Sequence, residues 1–320
     1  PVLIPCTTHK VLLPKAMPNQ VSLSPHGPTV SDVVYGTWRM LDDDPKPSVD
    51  SLVARFEMLL ELGITTLDTA EIYGLYTVEA GIGEVFKAKP ELRDQFQLIT
   101  KCGIDVPSDT KSTARLPHYN SSTENIIECT EKALQLMNTD RIDLLLVHRP
   151  DWFSSADDTA EGLQKVVADG KVLHTGVSNY LPSQFDLLQS RVDGKLVTNQ
   201  VEISLLEMAT LFDGTLAQLE EQRIRPMAWS PLAGGRLFDP KNKAGVRIRK
   251  CMDEIRRRYD GASDDALAFA WVMNHPSQPL TIIGTNKEDR IRSQASAAAI
   301  KLERQDWYAL WSAAKGTPIP

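Results

Sequence analysis

The chain has 320 residues, 42% hydrophobic and 24% charged, with a formal net charge of −7. That length holds one large core, and the acidic balance argues against nucleic acid as the main partner. No run approaches the ~20 apolar residues that cross a bilayer as a helix, so no membrane partner is expected either.

The first 31 residues, rich in proline (Pro14, Pro18, Pro25, Pro28), are expected to be irregular. The opening PVLIPCTTHKVLLPK lacks the order of a secretory signal, and the expected location is cytoplasmic. Cys6, Cys102, Cys129 and Cys251 form neither a close pair nor a dense framework, so disulfides and structural zinc are not expected.

From residue 32 to 320, short apolar or β-branched runs alternate with longer amphipathic stretches. The runs VVYGTW (33–38), ITTLD (64–68), QLITK (97–101), IDLLLV (142–147), VLHTGV (172–177), VTNQVE (197–202), RPMAW (225–229) and LTIIG (280–284) read as strands. Helical patterns cover 49–62, stopped by Gly63, and 120–137, 159–169, 184–188 and 264–274. Eight strands separated by helices predict a single-domain α/β (β/α)8 barrel, also called a TIM barrel, rather than a doubly wound sheet. The segments after strand 3 (103–119) and strand 7 (232–263) are longer than such connections need, and as rim loops they are expected to shape substrate access.

Strand ends converge on one rim of a closed parallel barrel. Asp68 ends the second predicted strand, Tyr73 lies in the turn after it, Lys101 ends the third and His148 follows the fourth. A phenol with an ordinary pKa of ~10 is a poor acid at neutral pH, and an ammonium within ~4–6 Å can lower it by ~1–3 units. Lys101 is expected to supply that ammonium, Asp68 to keep it charged, and His148 to orient a carbonyl oxygen. Taken singly, an ion pair, a packing tyrosine and a core histidine are the commoner explanations. Together at three neighbouring strand ends, they point to chemistry on an oxyanion.

The stretches LDTAEIYG (67–74), ITKCG (99–103), LLLVHRPD (144–151), HTGVSNY (174–180), TNQVEIS (198–204), MAWSPLAGGRL (227–237) and IIGTNKEDRIR (282–292) carry a resemblance to the aldo-keto reductases. It runs from about Gly36 to Trp311 in the family's order and spacing. The resemblance implies an NADP-dependent oxidoreductase that reduces a small-molecule carbonyl substrate, binding NADPH in an extended pose without a dinucleotide fold. Consistently, no G-x-G-x-x-G follows a strand; Gly81 and Gly83 fall within a helical stretch and read as close-packing positions.

By that resemblance Tyr73 is the proton donor, Lys101 and Asp68 the pair that tunes it, and His148 the substrate-orienting histidine; Trp38, by its place on a predicted rim loop, is expected at the substrate with Tyr73 and His148. Asp68 also falls at the nicotinamide end of the cofactor. Ser178, Asn179 and Gln200 match residues around the carboxamide, and Trp229 an aromatic ring that stacks on the nicotinamide. Ser230, Leu232, Gly234 and Arg236 would follow the pyrophosphate, and Gly36 and Thr37 would border the cofactor. Thr285, Lys287, Arg290 and Gln294 match positions that hold the 2′-phosphate and adenine. Gly284 stands where many members carry a lysine, which would move part of the clamp to Lys287 or weaken it. Relatives cap the barrel bottom with a short hairpin, which the prolines of this chain fit poorly.

Tyr76, His118, Tyr119, Arg149 and Trp152 also fall on rim loops. Arg149 reads either as a holder of an acidic substrate or, more commonly for such a position, as one half of a structural ion pair. The basic stretch 241–261 reads as an amphipathic helix with a solvated basic face, and Trp307, Tyr308 and Trp311 as packing residues of a last helix. The alternative function is a nicotinamide-binding regulatory module with slow catalysis. A metal-dependent barrel would need clustered ligands at strand ends, where only Asp68, His148 and Glu202 qualify. Oligomeric state is not readable.

Overall fold

The computed structural model describes residues 18–319. Eight parallel strands close into a barrel: β1 (Val33–Gly36), β2 (Thr66–Asp68), β3 (Gln97–Cys102), β4 (Ile142–Val147), β5 (Val172–Ser178), β6 (Leu196–Glu202), β7 (Met227–Trp229) and β8 (Leu280–Ile283). Closure comes from β8 pairing with β1, Ile282 opposite Val34. Every expected strand is present, although β1 stops at Gly36, short of Trp38.

Side chains alternate across each strand, as the two-residue period requires. On β4, Leu144 and Leu146 fill the barrel interior with Val34, Ile99, Val197, Met227 and Leu280. Leu145 and Val147 instead join the outer layer that packs against the helices. On β3 the interior side is that of Ile99, which places Lys101 inside and Thr100 outside. The strand period therefore decides that Lys101 points to the barrel interior, where it meets Asp68 and Tyr73.

The surrounding helices are α1 (Val49–Glu61), α2 (Val78–Ala88), α3 (Thr123–Leu136), α4 (Ala156–Ala168), α5 (Pro182–Gln189), α6 (Thr215–Glu221), α7 (Lys243–Ile255), α8 (Asp264–Met273), α9 (Glu288–Ala295) and α10 (Arg304–Lys315). Helix α1 shows how the sequence encodes them. The Ser48 hydroxyl accepts from the Ser51 N–H, Leu52, Phe56 and Leu59 are buried, and Gly63 takes a φ of 76° just past the end. Gly83 is the close approach between α2 and α3, since a Cβ there would lie 1.9 Å from the Leu136 carbonyl oxygen. Among the described residues, no helix is long and apolar enough to cross a membrane.

The opening segment corrects the sequence expectation. Gln20–Ser22 pairs antiparallel with Thr29–Ser31, and Pro25 and Pro28 sit in the connection, where no ladder N–H is lost. Leu23 and Val30 are fully buried within the interior cluster, and Leu23 O accepts from Arg225 N ahead of β7. The hairpin thus plugs the end of the barrel opposite the strand C-termini. Pro14 and the rest of 1–17 lie outside the described residues.

The segment after β3 forms a two-residue ladder, Ile104–Asp105 with His118–Tyr119. The segment after β7 holds a 3-10 turn (Ala233–Phe238) and α7. Helix α7 is amphipathic as expected, burying Ile248, Met252 and Ile255 against α10. Its basic side is less free than expected: Arg247 donates to the Ala313 and Ala314 carbonyls, and beyond α7 Arg256 pairs with Asp264 and Arg258 with Asp306. Trp307 stacks on Trp271 at 4.8 Å, each indole N–H donating to the other's carbonyl, and Trp311 packs on the same cluster, whereas Tyr308 is exposed.

Candidate active site

Asp68 is the last residue of β2 and faces Ile99 on β3, so Lys101, two residues on, sits on the same inner side just above it. The Lys101 Nζ donates to Asp68 Oδ2 at 2.8 Å, to the Thr69 carbonyl at 2.8 Å and to the Tyr73 hydroxyl oxygen at 3.0 Å. All three of its protons are thereby used. The loop carrying Tyr73 is folded over the lysine by the Glu71 N–H, which donates to the Lys101 carbonyl, and by a turn from Tyr73 N to Ala70 O. The other Asp68 oxygen accepts from Gln200 Nε2 at 2.7 Å. His148 extends the β3–β4 ladder by donating its N–H to Cys102 O. Its ring lies 6.1 Å from that of Tyr73, which Trp38 meets edge-on at 5.0 Å.

Burial sets the protonation states. It pushes the Tyr73 phenol above its ordinary 10; the Lys101 charge opposes this and Asp68 adds to it. The expected downward pull of Lys101 is therefore present but outweighed, because the sequence displays the cation and not the desolvation. Burial pulls Lys101 down, yet Asp68 and Tyr73 together hold it above its usual value and charged. Burial, then the charges of Lys101 and Arg149, drive His148 well below 6.5, so it is neutral; its Nδ1 is buried without a partner among the described residues. Because Tyr73 already accepts from Lys101, its own proton is available to a ligand.

These groups border a cleft of about 1100 Å³ across the C-terminal rim. Trp38, Asp68, Tyr73, His148 and Arg149 line it together with Gly36, Ser178, Asn179, Gln200 and Trp229. Ser230, Leu232 and Gly234 after β7 line it too, as do Gly284, Thr285, Lys287, Arg290 and Gln294 after β8. Trp229 Nε1 donates to Asn179 Oδ1, Asn179 Nδ2 to Ser178 Oγ, and Ser178 Oγ to Gln200 O, at 3.1, 2.8 and 2.8 Å. That chain fixes the orientation of the indole and the amide.

Two expected cofactor residues are not at the cleft. Thr37 is fully buried and gives its N–H and its hydroxyl to Asp68 O at 2.9 and 3.1 Å, so it props the end of β2. Arg236 faces Glu202 at 3.6 Å and gives its Nε to Ala233 O, holding its own loop instead. Of the further rim residues, Arg149 lines the cleft without an ion pair among the described residues, contrary to the structural pairing expected. Tyr76 is buried, its oxygen accepting from Val106 N; His118 faces Asp105 at 3.6 Å, and Tyr119 packs with Trp152 at 5.8 Å.

Arg39 was not singled out by its sequence position. It lines the far part of the cleft and gives Nη1 to the Gly284 carbonyl at 3.3 Å; the same nitrogen lies 4.0 Å from where a Gly284 Cβ would be. Asn286 fixes it by donating to the Arg39 carbonyl while accepting from Tyr35 and Arg55. No local pattern reports this contact, which is made by residues 245 positions apart.

The residues fit an extended dinucleotide. Ser230, Ala233, Gly234 and Gly235 all have positive φ, and a Cβ on either glycine would meet no atom within 4 Å. That is the open, sharply turned backbone that close approach to a phosphate needs. Gln294 is 3% exposed and its Oε1 has no partner among the described residues, an acceptor left for a ligand N–H.

The model of the Aldo/keto reductase family matches residues 32–315. A 6-dehydroglucose reductase from Agrobacterium fabrum is 43% identical over 290 residues, covering 91% of this chain and 96% of the relative. Oxidoreductase YdhF from Escherichia coli is 41% identical over 304 residues, covering 95% and 100%. Among solved structures, the glycerol dehydrogenase AKR11B4 from Gluconobacter oxydans shares the fold, with a TM-score of 0.78 at 23% identity over 96% of this chain and 98% of that one. A match running from the edge of β1 to the end of α10, with relatives aligned almost end to end, places the chain in the aldo/keto reductase family, enzymes that reduce carbonyl groups and generally use a nicotinamide cofactor.

Proposed function

We propose that this protein reduces an aldehyde or ketone to an alcohol with NADPH, and that Tyr73 is the general acid. The observation that carries the proposal is the Lys101 ammonium, bonded at once to Asp68 and to the Tyr73 oxygen behind an open cleft. Bound NADPH supplies hydride to the carbonyl carbon. Tyr73 gives its proton to the carbonyl oxygen as negative charge builds there, and the neutral His148 ring adds a second hydrogen bond to that oxygen. The raised phenol pKa keeps the acid form present at neutral pH, while Lys101 stabilises the phenolate left behind. Asp68, itself held by Gln200, keeps the ammonium in place.

Trp229 and the Ser178, Asn179 and Gln200 group hold the nicotinamide end. Ser230, Leu232 and Gly234 present backbone to the pyrophosphate. Arg290, Lys287 and Arg39 attract the 2′-phosphate, Arg39 standing in for the lysine that Gly284 replaces, with Thr285 beside them. Gln294 Oε1 accepts from the adenine amino group. Asp42, Asp43 and Asp289 share this end, so the cations have local competitors and each contributes less than an isolated one. The relative named 6-dehydroglucose reductase supports a small polar carbonyl compound as substrate.

Titrating NADPH and NADH by quenching of tryptophan fluorescence tests the cofactor assignment. Arg290→Ala and Arg39→Ala should each weaken NADPH about 10-fold, the scale of one charge-assisted hydrogen bond, and leave NADH nearly unchanged. Equal losses for both cofactors would remove the 2′-phosphate role.

A further inference from the structure

We infer that Arg149 selects the substrate, its guanidinium taking two adjacent oxygen acceptors of the carbonyl compound, either vicinal hydroxyls or a carboxylate. This rests on the carbonyl-reduction proposal and adds what lies beyond the reacting carbon.

Two other guanidinium groups of this fold, buried Arg93 and half-buried Arg256, are satisfied by protein. Arg93 donates to Thr139, to the carbonyls of Phe96 and Arg141, and to Asp143; Arg256 is held by Ala262 O, Asp253 and Asp264. Arg149 is half-buried, lines the cleft, and among the described residues makes neither an ion pair nor a side-chain hydrogen bond. The guanidinium lies over the face of Trp229, its carbon 5.9 Å from the ring centroid. A cation resting on an aromatic face keeps its N–H edge free, and leaving that edge unpaired while partly out of water is unfavourable. A ligand with paired oxygens removes the cost.

Its place in the chain sets which ligand atoms it meets. Arg149 directly follows His148, at the end of β4, and shares the cleft with Tyr73 and Trp38. A carbonyl oxygen between Tyr73 and His148 therefore brings the atoms next to that carbonyl toward the guanidinium. Glu202 is the carboxylate that would compete for it; it lies beyond 4 Å and faces Arg236 at 3.6 Å. Two N–H groups in a planar fork match a carboxylate or a diol, whereas an unsubstituted alkyl chain offers them nothing.

The test uses Arg149→Met, which keeps the length and the apolar contact, and Arg149→Lys, with two matched pairs: glyceraldehyde against propanal, and succinate semialdehyde against butanal. In Arg149→Met, kcat/KM should fall about 10- to 100-fold, mainly through KM, on at least one oxygenated substrate and no more than about 2-fold on propanal and butanal. NADPH affinity should not change. A loss on glyceraldehyde identifies a diol, and a loss on succinate semialdehyde that Arg149→Lys partly restores identifies a carboxylate. Equal loss on all four aldehydes, or none, overturns the inference. Glycerate binding to the NADP⁺ complex, read by fluorescence, needs no turnover. If the wild type reduces none of the four, weaker glycerate binding in Arg149→Met sustains Arg149 while sinking the reductase proposal, and unchanged binding sinks Arg149.

Discussion

Glu79 makes a stability prediction whose sign and size follow from its surroundings. It lies on α2 with 2% exposure, and its Oε1 accepts from the Thr100 hydroxyl at 2.6 Å, behind the strand that carries Lys101. Burial raises its carboxyl from 4.5 to about 7; the Thr100 hydrogen bond opposes this, Glu71 adds to it, and Lys132 and Lys101 oppose it. Between those two values the folded chain binds more protons than the unfolded one, so stability falls as pH rises through that window and is level on either side. At about 1.36 kcal/mol for each pH unit, the loss is on the order of 3 kcal/mol. Glu79→Gln keeps the shape and an oxygen for Thr100 but cannot ionise. Urea unfolding of both proteins from about pH 4 to pH 8 cancels the titrations they share. The variant should gain on the wild type by on the order of 3 kcal/mol across the window, whatever the constant offset. Parallel curves would refute the reasoning.

Two further outcomes follow from the packing and the site. Lys101→Met leaves the Asp68 carboxylate buried with Gln200 as its remaining side-chain partner, and should cost about 3–5 kcal/mol in urea unfolding. Asp68→Asn made in that background should recover much of the loss, and additive losses would mean the two are not one unit. Gly83→Ala drives a Cβ to 1.9 Å from the Leu136 carbonyl oxygen and should cost about 1–3 kcal/mol or more, with activity per folded molecule unchanged. Wild-type stability in that variant would mean α2 and α3 are not held this close.

Much of the barrel was legible because β-branched runs such as IDLLLV alternate with amphipathic stretches, and period and length separate the two. One short element was not: α6 spans seven residues, too few for a helical period to stand out, whereas eight-residue α5 was legible at 184–188. The hairpin was obscured because proline signals a break without saying whether it falls in the ladder or in the turn. Asp68, Tyr73, Lys101 and His148 were legible as polar residues at successive strand ends. Desolvation was not, which is why Tyr73 was expected to titrate low and is instead pushed up. Thr37 and Arg236 were placed at the cofactor by the resemblance, and each instead meets a partner on another strand, Asp68 for one and Glu202 for the other. Arg39 reaches Gly284 across the barrel closure, a contact no local pattern contains.

Tyr73→Phe, assayed for NADPH oxidation with an aldehyde panel and titrated with NADPH in parallel, tests the central claim most directly. Lys101 keeps Asp68 and the Thr69 carbonyl in that variant, so the site should stay assembled. Turnover should fall by about 10²- to 10⁴-fold, with NADPH affinity within about 2-fold of wild type. Turnover close to wild type, or cofactor binding lost along with it, would contradict Tyr73 as the proton donor.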